Sequence, residues 1–259
     1  MTADSLEQFD VPEILSIIFH PRRDSSAPDP QRDIEIQVEE GVSLGGRIHV
    51  CSPDAPLILF FHGNGEIASD YNDVAPVYNQ LGINFLVIDF RGYGSSGGSP
   101  TLSNLVSDAR KVYDSLPRLL KERELAPSRI FVMGRSLGSA SAIEIASHAG
   151  DRIQGLIIES GFAYGQRLIA SLGGPKMSAG EDGKVGTAAL AKMPNIKVPT
   201  LILHGEADFI IPVDDAHALH EHSGASAKRL VTIPAAGHND LLFTGQAQYF
   251  RAIAELIAQ

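Results

Sequence analysis

Six short, largely apolar runs recur along the chain: Leu57–Phe61, Phe85–Phe90, Ile130–Met133, Leu156–Ile158, Leu201–Leu203 and Leu230–Ile233. A helical pattern follows each of them. A strand that is apolar on successive residues must bury both faces, and the helices between strands supply the cover. This rhythm predicts a mostly parallel sheet with helices on both faces. Such sheets take ligands at the carboxyl ends of their strands, so chemistry is expected just after a strand. Ahead of the six runs, Ile34–Val38 alternates, Glu40-Gly41 turns, and Leu44–Val50 alternates again. That reads as an antiparallel hairpin at the sheet edge and brings the strand number to eight. With 259 residues, one domain spanning 1–259 is expected.

Two segments stand outside the rhythm. Residues 1–32 read as a helix over Val11–Phe19 and an extended connector, HPRRDSSAPDPQR, rich in Pro, Ser and charge. The helix is too short to span a bilayer. It is expected to pack outside the sheet; an interfacial anchor using Ile14, Leu15, Ile18 and Phe19 is the alternative. Residues 161–198 are longer than an ordinary connection and Gly-rich in the middle, which predicts a short lid with one helix near 166–172. The start, MTADSLEQFD, lacks the basic and apolar regions of a secretory signal, so the cytoplasm is the expected location. A net charge of -10 argues against nucleic acid and anionic membrane as partners. The one cysteine, Cys51, reads as a small core or edge residue and can form no internal disulfide. His217, His220 and His222 read as a solvated helix surface rather than a metal site.

The chemistry concentrates at Gly134-Arg135-Ser136-Leu137-Gly138, where a buried strand meets a helical pattern. A serine at so tight a turn is lifted clear of the sheet. Its hydroxyl needs an imidazole to take its proton and an acid to orient the imidazole. His238, after the last strand, is the expected base. Asp208, after the fifth run, is the favoured acid, with Glu159 and Glu206 as competitors. Asp214 and Asp215 read as a helix cap and first-turn charge. The backbone N–H groups of Leu137 and Asn64 are the expected oxyanion donors, and His62 is expected to brace the Asn64 loop. Gly92-x-Gly94-x-x-Gly97 mimics a dinucleotide fingerprint, but Pro100 interrupts the approach to the helix.

From about residue 32 onward the chain resembles the α/β-hydrolase superfamily, in its order Ser, Asp, His. His62-Gly63-Asn64-Gly65, Asp89-Phe90-Arg91-Gly92-Tyr93-Gly94-Ser95-Ser96-Gly97 and Gly237-His238-Asn239-Asp240 resemble a subgroup containing esterase-like proteins and depalmitoylating thioesterases. The resemblance implies an α/β-hydrolase fold with Ser136 as nucleophile, Asp208 as acid, His238 as base, and Asn64 and Leu137 as oxyanion donors. The expected activity is hydrolysis of small-molecule carboxylic esters or thioesters through an acyl-serine, with no cofactor or metal. Acyl-thioesterase and amidase or peptidase activity are the nearest alternatives, and a catalytically silent binding module is the non-enzyme one. Phe162, Tyr164, Leu168, Ile169 and Leu172 are the expected substrate-pocket residues.

Overall fold

The computed structural model describes residues 6–174 and 187–259. These form an eight-stranded sheet of β1 (Asp33–Glu39), β2 (Val42–His49), β3 (Leu57–Phe61), β4 (Asn84–Ile88), β5 (Ile130–Arg135), β6 (Gly155–Glu159), β7 (Thr200–Gly205) and β8 (Lys228–Ile233). The spatial order is β1-β2-β4-β3-β5-β6-β7-β8. β2 runs antiparallel to both its neighbours, and all other pairs are parallel. The mostly parallel sheet and edge hairpin follow the expected pattern. The helices are α1 (Pro12–Ile18), α2 (Ala75–Gln80), α3 (Leu102–Glu122), α4 (Gly138–Ala149), α5 (Gly165–Ser171), α6 (Thr187–Lys192), α7 (Val213–His222), α8 (Leu241–Thr244) and α9 (Gln246–Ile257). None is long and apolar enough to cross a membrane.

Strand periodicity divides the apolar residues between two cores. Leu57, Leu59 and Phe61 of β3 join Leu86 and Ile88 of β4 on the face covered by α1, α3, α4 and α7. Ile58, Phe60, Phe85 and Val87 point the other way, against α2 and α9. Because successive side chains alternate faces, a strand between two helical layers must be apolar throughout. Each such side chain, fully buried, contributes on the order of 2 kcal/mol.

One alternative falls away and two local expectations change. α1 packs against α5 with Ile14, Ile18 and the following Phe19 buried. Three of the four side chains of the interfacial-anchor alternative are therefore turned into the protein. The N-cap of α7 is Pro212, which offers no side-chain oxygen, so Asp214 and Asp215 are both first-turn residues. Cys51 lies just past β2 and is exposed rather than in the core. The loop from Asp89 to Gly97 closes back onto the sheet edge: Ser96 Oγ donates to the Asp89 carbonyl (2.9 Å) and accepts from Gly45 N–H (2.8 Å). α3 begins only at Leu102, capped by Thr101, so the glycines of this loop are not joined to a helix N-terminus.

His49, at the end of β2, is buried and its Nε2 has no hydrogen-bond partner. Burial, reinforced by the nearby charges of Arg32 and Arg47, pushes its pKa down to about 4 from 6.5. The unfolded chain therefore binds a proton that the folded protein refuses between those two values, and stability falls as pH is lowered through that window. His49→Phe should flatten the urea midpoint between pH 6.5 and pH 4. A pH profile identical to wild type would contradict this reading.

Candidate active site

β5 ends in a turn that only backbone can fill. A Cβ on Gly134 would lie 2.2 Å from the Gly138 carbonyl oxygen, and one on Gly138 would lie 2.1 Å from that of Phe61. Between them Ser136 adopts φ +50°, a left-handed backbone unusual for any residue with a side chain. Its N–H donates to the Glu159 carbonyl at 2.8 Å, which ties the turn to β6. Ser136 thus stands at the carboxyl end of the sheet, and α4 starts two residues later.

His238 Nε2 lies 2.8 Å from Ser136 Oγ, and Nδ1 lies 2.7 Å from Asp208 Oδ2. Nδ1–H donates to the carboxylate, which leaves Nε2 to accept from the hydroxyl. Residues 102 and 30 positions apart are brought into one hydrogen-bonded chain. Asp208 Oδ1 accepts from the N–H groups of Ile210 (2.9 Å) and Ile211 (2.8 Å). His204 Nε2 stands 3.4 Å from Oδ2. Burial pushes the Asp208 carboxyl up, but bonds from His204 and His238 and the Ile211 N–H outweigh it and hold it well below the usual carboxylate range. The competing acids lie elsewhere. Glu206 is exposed and accepts from Thr232 Oγ1 at 2.8 Å. Glu159 bonds Tyr249 and Arg135 instead of His238.

The loop after β3 brings Asn64 to the same end of the sheet. Among the described residues, neither the Asn64 nor the Leu137 N–H donates to any protein acceptor. His62 is buried beneath the loop, where its Nδ1–H donates to the Gly63 carbonyl at 2.7 Å. A second brace comes from Glu66, whose Oε2 accepts from Gly63 N–H at 2.6 Å and from the Tyr71 hydroxyl at 2.7 Å.

Arg135, which reads in the sequence as the variable position of Gly-x-Ser, is buried and central. Its guanidinium pairs with Glu66, lies 3.2 Å from Glu159, and donates to the His238 carbonyl (2.8 Å) and Asn239 Oδ1 (3.0 Å). One side chain therefore links the Asn64 loop, β6 and the His238 loop. Burial disfavours its charge, but Glu66 and Glu159 hold it protonated. Burial pushes the Glu159 carboxyl up, and Arg135 and Tyr249 only partly oppose this. Sequence reasoning missed this cluster; the available signal was an arginine inside a turn that the flanking apolar strand buries.

A small apolar cavity, partly open to solvent, adjoins Leu137. Phe162, Leu168 and Ile169 line it, whereas Tyr164 and Leu172 do not. The Arg167 guanidinium lies 4.5 Å from the centre of the Tyr164 ring, and Leu172 is exposed. The remaining walls include Leu6 and Ile18 from the N-terminal segment and Leu105 and Ala140 from α3 and α4. Of the expected lid, residues 175–186 lie outside the described residues. Asp215, a first-turn residue of α7, does more than the sequence pattern implies. It is buried and accepts from the N–H groups of Ala163 (2.8 Å) and Tyr164 (3.2 Å), anchoring the start of α5. Among the described residues no group of three or more His, Cys, Asp or Glu side chains is placed to hold a metal ion.

The family model described as serine aminopeptidase, S33, matches residues 52–179 and 179–243. The chain belongs to this family of α/β hydrolases. The hydrolase is 30% identical to protein bem46 of Schizosaccharomyces pombe over 237 residues, covering 87% of this chain and 76% of that one. It is 24% identical to YfhR of Escherichia coli K12 over 256 residues, covering 93% and 86% of the two chains. Its fold matches the Pyrococcus furiosus esterase Pf2001 with a TM-score of 0.74 at 21% identity, covering 92% of this chain and 98% of that one.

The hydrolase's Arg135 cluster generates a stability prediction. Removing one member of a buried ion-pair group strands the others without compensation, at a cost of about 3–5 kcal/mol. Arg135→Met should lower unfolding free energy in urea by that amount. A loss below about 1 kcal/mol would show that Glu66 and Glu159 do not depend on the guanidinium.

Proposed function

We propose that the protein is a serine hydrolase cleaving carboxylic esters or thioesters through an acyl-Ser136 intermediate. The observation that carries this reading is the hydrogen-bonded chain from Ser136 Oγ through His238 to Asp208 at the strained turn. In the first half-reaction Ser136 Oγ attacks the carbonyl carbon while His238 Nε2 takes the hydroxyl proton. The oxyanion that develops is stabilised by the free N–H groups of Leu137 and Asn64. Collapse expels the alcohol or thiol, which receives the proton from His238. Water then repeats the attack on the acyl-enzyme, with His238 as base, and releases the acid. Asp208, held ionised, favours the imidazolium that forms in each half.

The proposed acyl site is the apolar cavity beside Leu137. Six of its lining residues, from Phe162 to Lys192, fall in the expected lid at 161–198, within what we take as one domain. The family description raises amide cleavage at a free N-terminus as a second reading. Among the described residues, the cavity's charged lining residue is Lys192, which pairs with Glu144. No carboxylate in that lining receives an ammonium group, so an apolar acyl chain is the better occupant.

Ser136→Ala should lower kcat by about a million-fold and abolish labelling by a fluorophosphonate. Asp208→Asn should cost about 10⁴ in kcat, and Glu159→Gln far less; the reverse order would move the acid to β6. Filling the cavity with Ala140→Phe should lower kcat/KM for octanoyl esters by at least about tenfold, with acetyl esters little changed. Equal losses for both esters would place the acyl group elsewhere.

A further inference from the structure

The chain ahead of the sheet runs over the loop that carries Asn64. Asn64 Oδ1 accepts from the backbone N–H of His20 (2.9 Å) and from the Tyr93 hydroxyl (2.6 Å). Asn64 Nδ2 donates to His20 Nδ1 at 2.9 Å. The His20 N–H is shared with Tyr93 Oη, also at 2.9 Å, so the three residues close a ring of hydrogen bonds. Two residues further on, Arg22 Nε donates to the Gly65 carbonyl (2.7 Å), and its guanidinium pairs with Asp70. The segment is itself pinned from beyond: Gly94 N–H donates to the Arg22 carbonyl at 2.9 Å. Glu66 and His62 hold the Asn64 loop from beneath. His20, Arg22 and Tyr93 add a second set of bonds to it.

We infer that His20 and Tyr93 are positioning residues of the hydrolase: through the Asn64 side chain they aim the Asn64 backbone N–H at the developing oxyanion. This rests on the reading of that N–H as an oxyanion donor. Among the described residues the N–H has no acceptor of its own to orient it. An asparagine side chain bonded at both its oxygen and its nitrogen holds the Cα–Cβ bond in place and so limits how far the adjacent peptide plane can turn. Oxyanion stabilisation depends on donors being in place before charge develops, so a loop free to turn loses rate without losing substrate. The exposed N-terminal segment thereby becomes part of the catalytic apparatus. It also contributes Ile18, two residues before His20, to the wall of the acyl cavity.

A donor lost outright from an oxyanion hole costs about 10²–10³ in kcat, so a donor merely loosened should cost about tenfold. His20→Ala and Tyr93→Phe should each lower kcat by about tenfold, with KM within about twofold of wild type. Because both act through one side chain, combining either with Asn64→Ala should add little to the loss from Asn64→Ala alone. Affinity for an alkyl boronic acid, whose tetrahedral adduct on serine uses the same N–H groups, should fall in parallel with kcat. Fully additive losses, or losses confined to thermal midpoint with kcat per labelled active site unchanged, would overturn the inference. Wild-type protein that takes up no fluorophosphonate would sink the hydrolase reading and this inference together. A labelled wild type with variants labelled equally fast overturns this inference alone.

Discussion

The structure turns on the close approach of three backbone segments at Gly134, Gly138 and Phe61. No side chain fits there, since a Cβ on either glycine would sit within 2.2 Å of a carbonyl oxygen. That approach lets β5 reverse into α4 in so few residues, and it forces Ser136 into a left-handed conformation. Such a backbone costs on the order of 1–3 kcal/mol and persists only where its surroundings over-determine it. Here they do: β5 lies between β3 and β6, and the Ser136 N–H is bonded to β6. Everything else at the carboxyl end of the sheet is arranged around a hydroxyl whose position is set by covalent geometry and packing.

Polar groups tie together the loops around that hydroxyl. Arg135 is suited to the task because its planar fork presents several donors in fixed directions. It reaches Glu66, Glu159, His238 and Asn239 at once. A lysine would offer one point of attachment. Burying such a group is unfavourable in itself, so its value lies in specifying which loops sit together rather than in net stability. The His20–Asn64–Tyr93 ring is a second polar tie on the same loop.

Much of the architecture was legible from residue pattern, because burial on both faces imposes continuous apolar strands and there is no other way to cover them. Leu57–Phe61 is the clearest case, with expected and observed strand coinciding. Ser136, Asp208 and His238 could be nominated since each follows a strand. Other residues were misread for an identifiable reason. Arg135 reads as a spacer, His20 as part of a connector, and Asp215 as a first-turn charge, because each acts through partners 24 to 104 positions away. Local pattern carries no trace of a partner at that distance. Tyr164 and Leu172 were grouped with Phe162, Leu168 and Ile169 on apolarity alone. Only the turn of α5 decides which of them face the cavity.

The sequence by itself determined the fold class, the strand sequence and the turn at Ser136, since these follow from two-residue periodicity and from glycines where backbone must touch backbone. It left three carboxylates, Asp208, Glu159 and Glu206, at or near strand ends. The tertiary structure set them apart by distance and burial. Sheet register and loop path put Asp208 Oδ2 within 2.7 Å of His238, gave Glu159 to Arg135 and turned Glu206 to solvent. Periodicity specifies the face a side chain occupies, whereas hydrogen bonding requires a distance, and distances between segments exist only once the chain is folded.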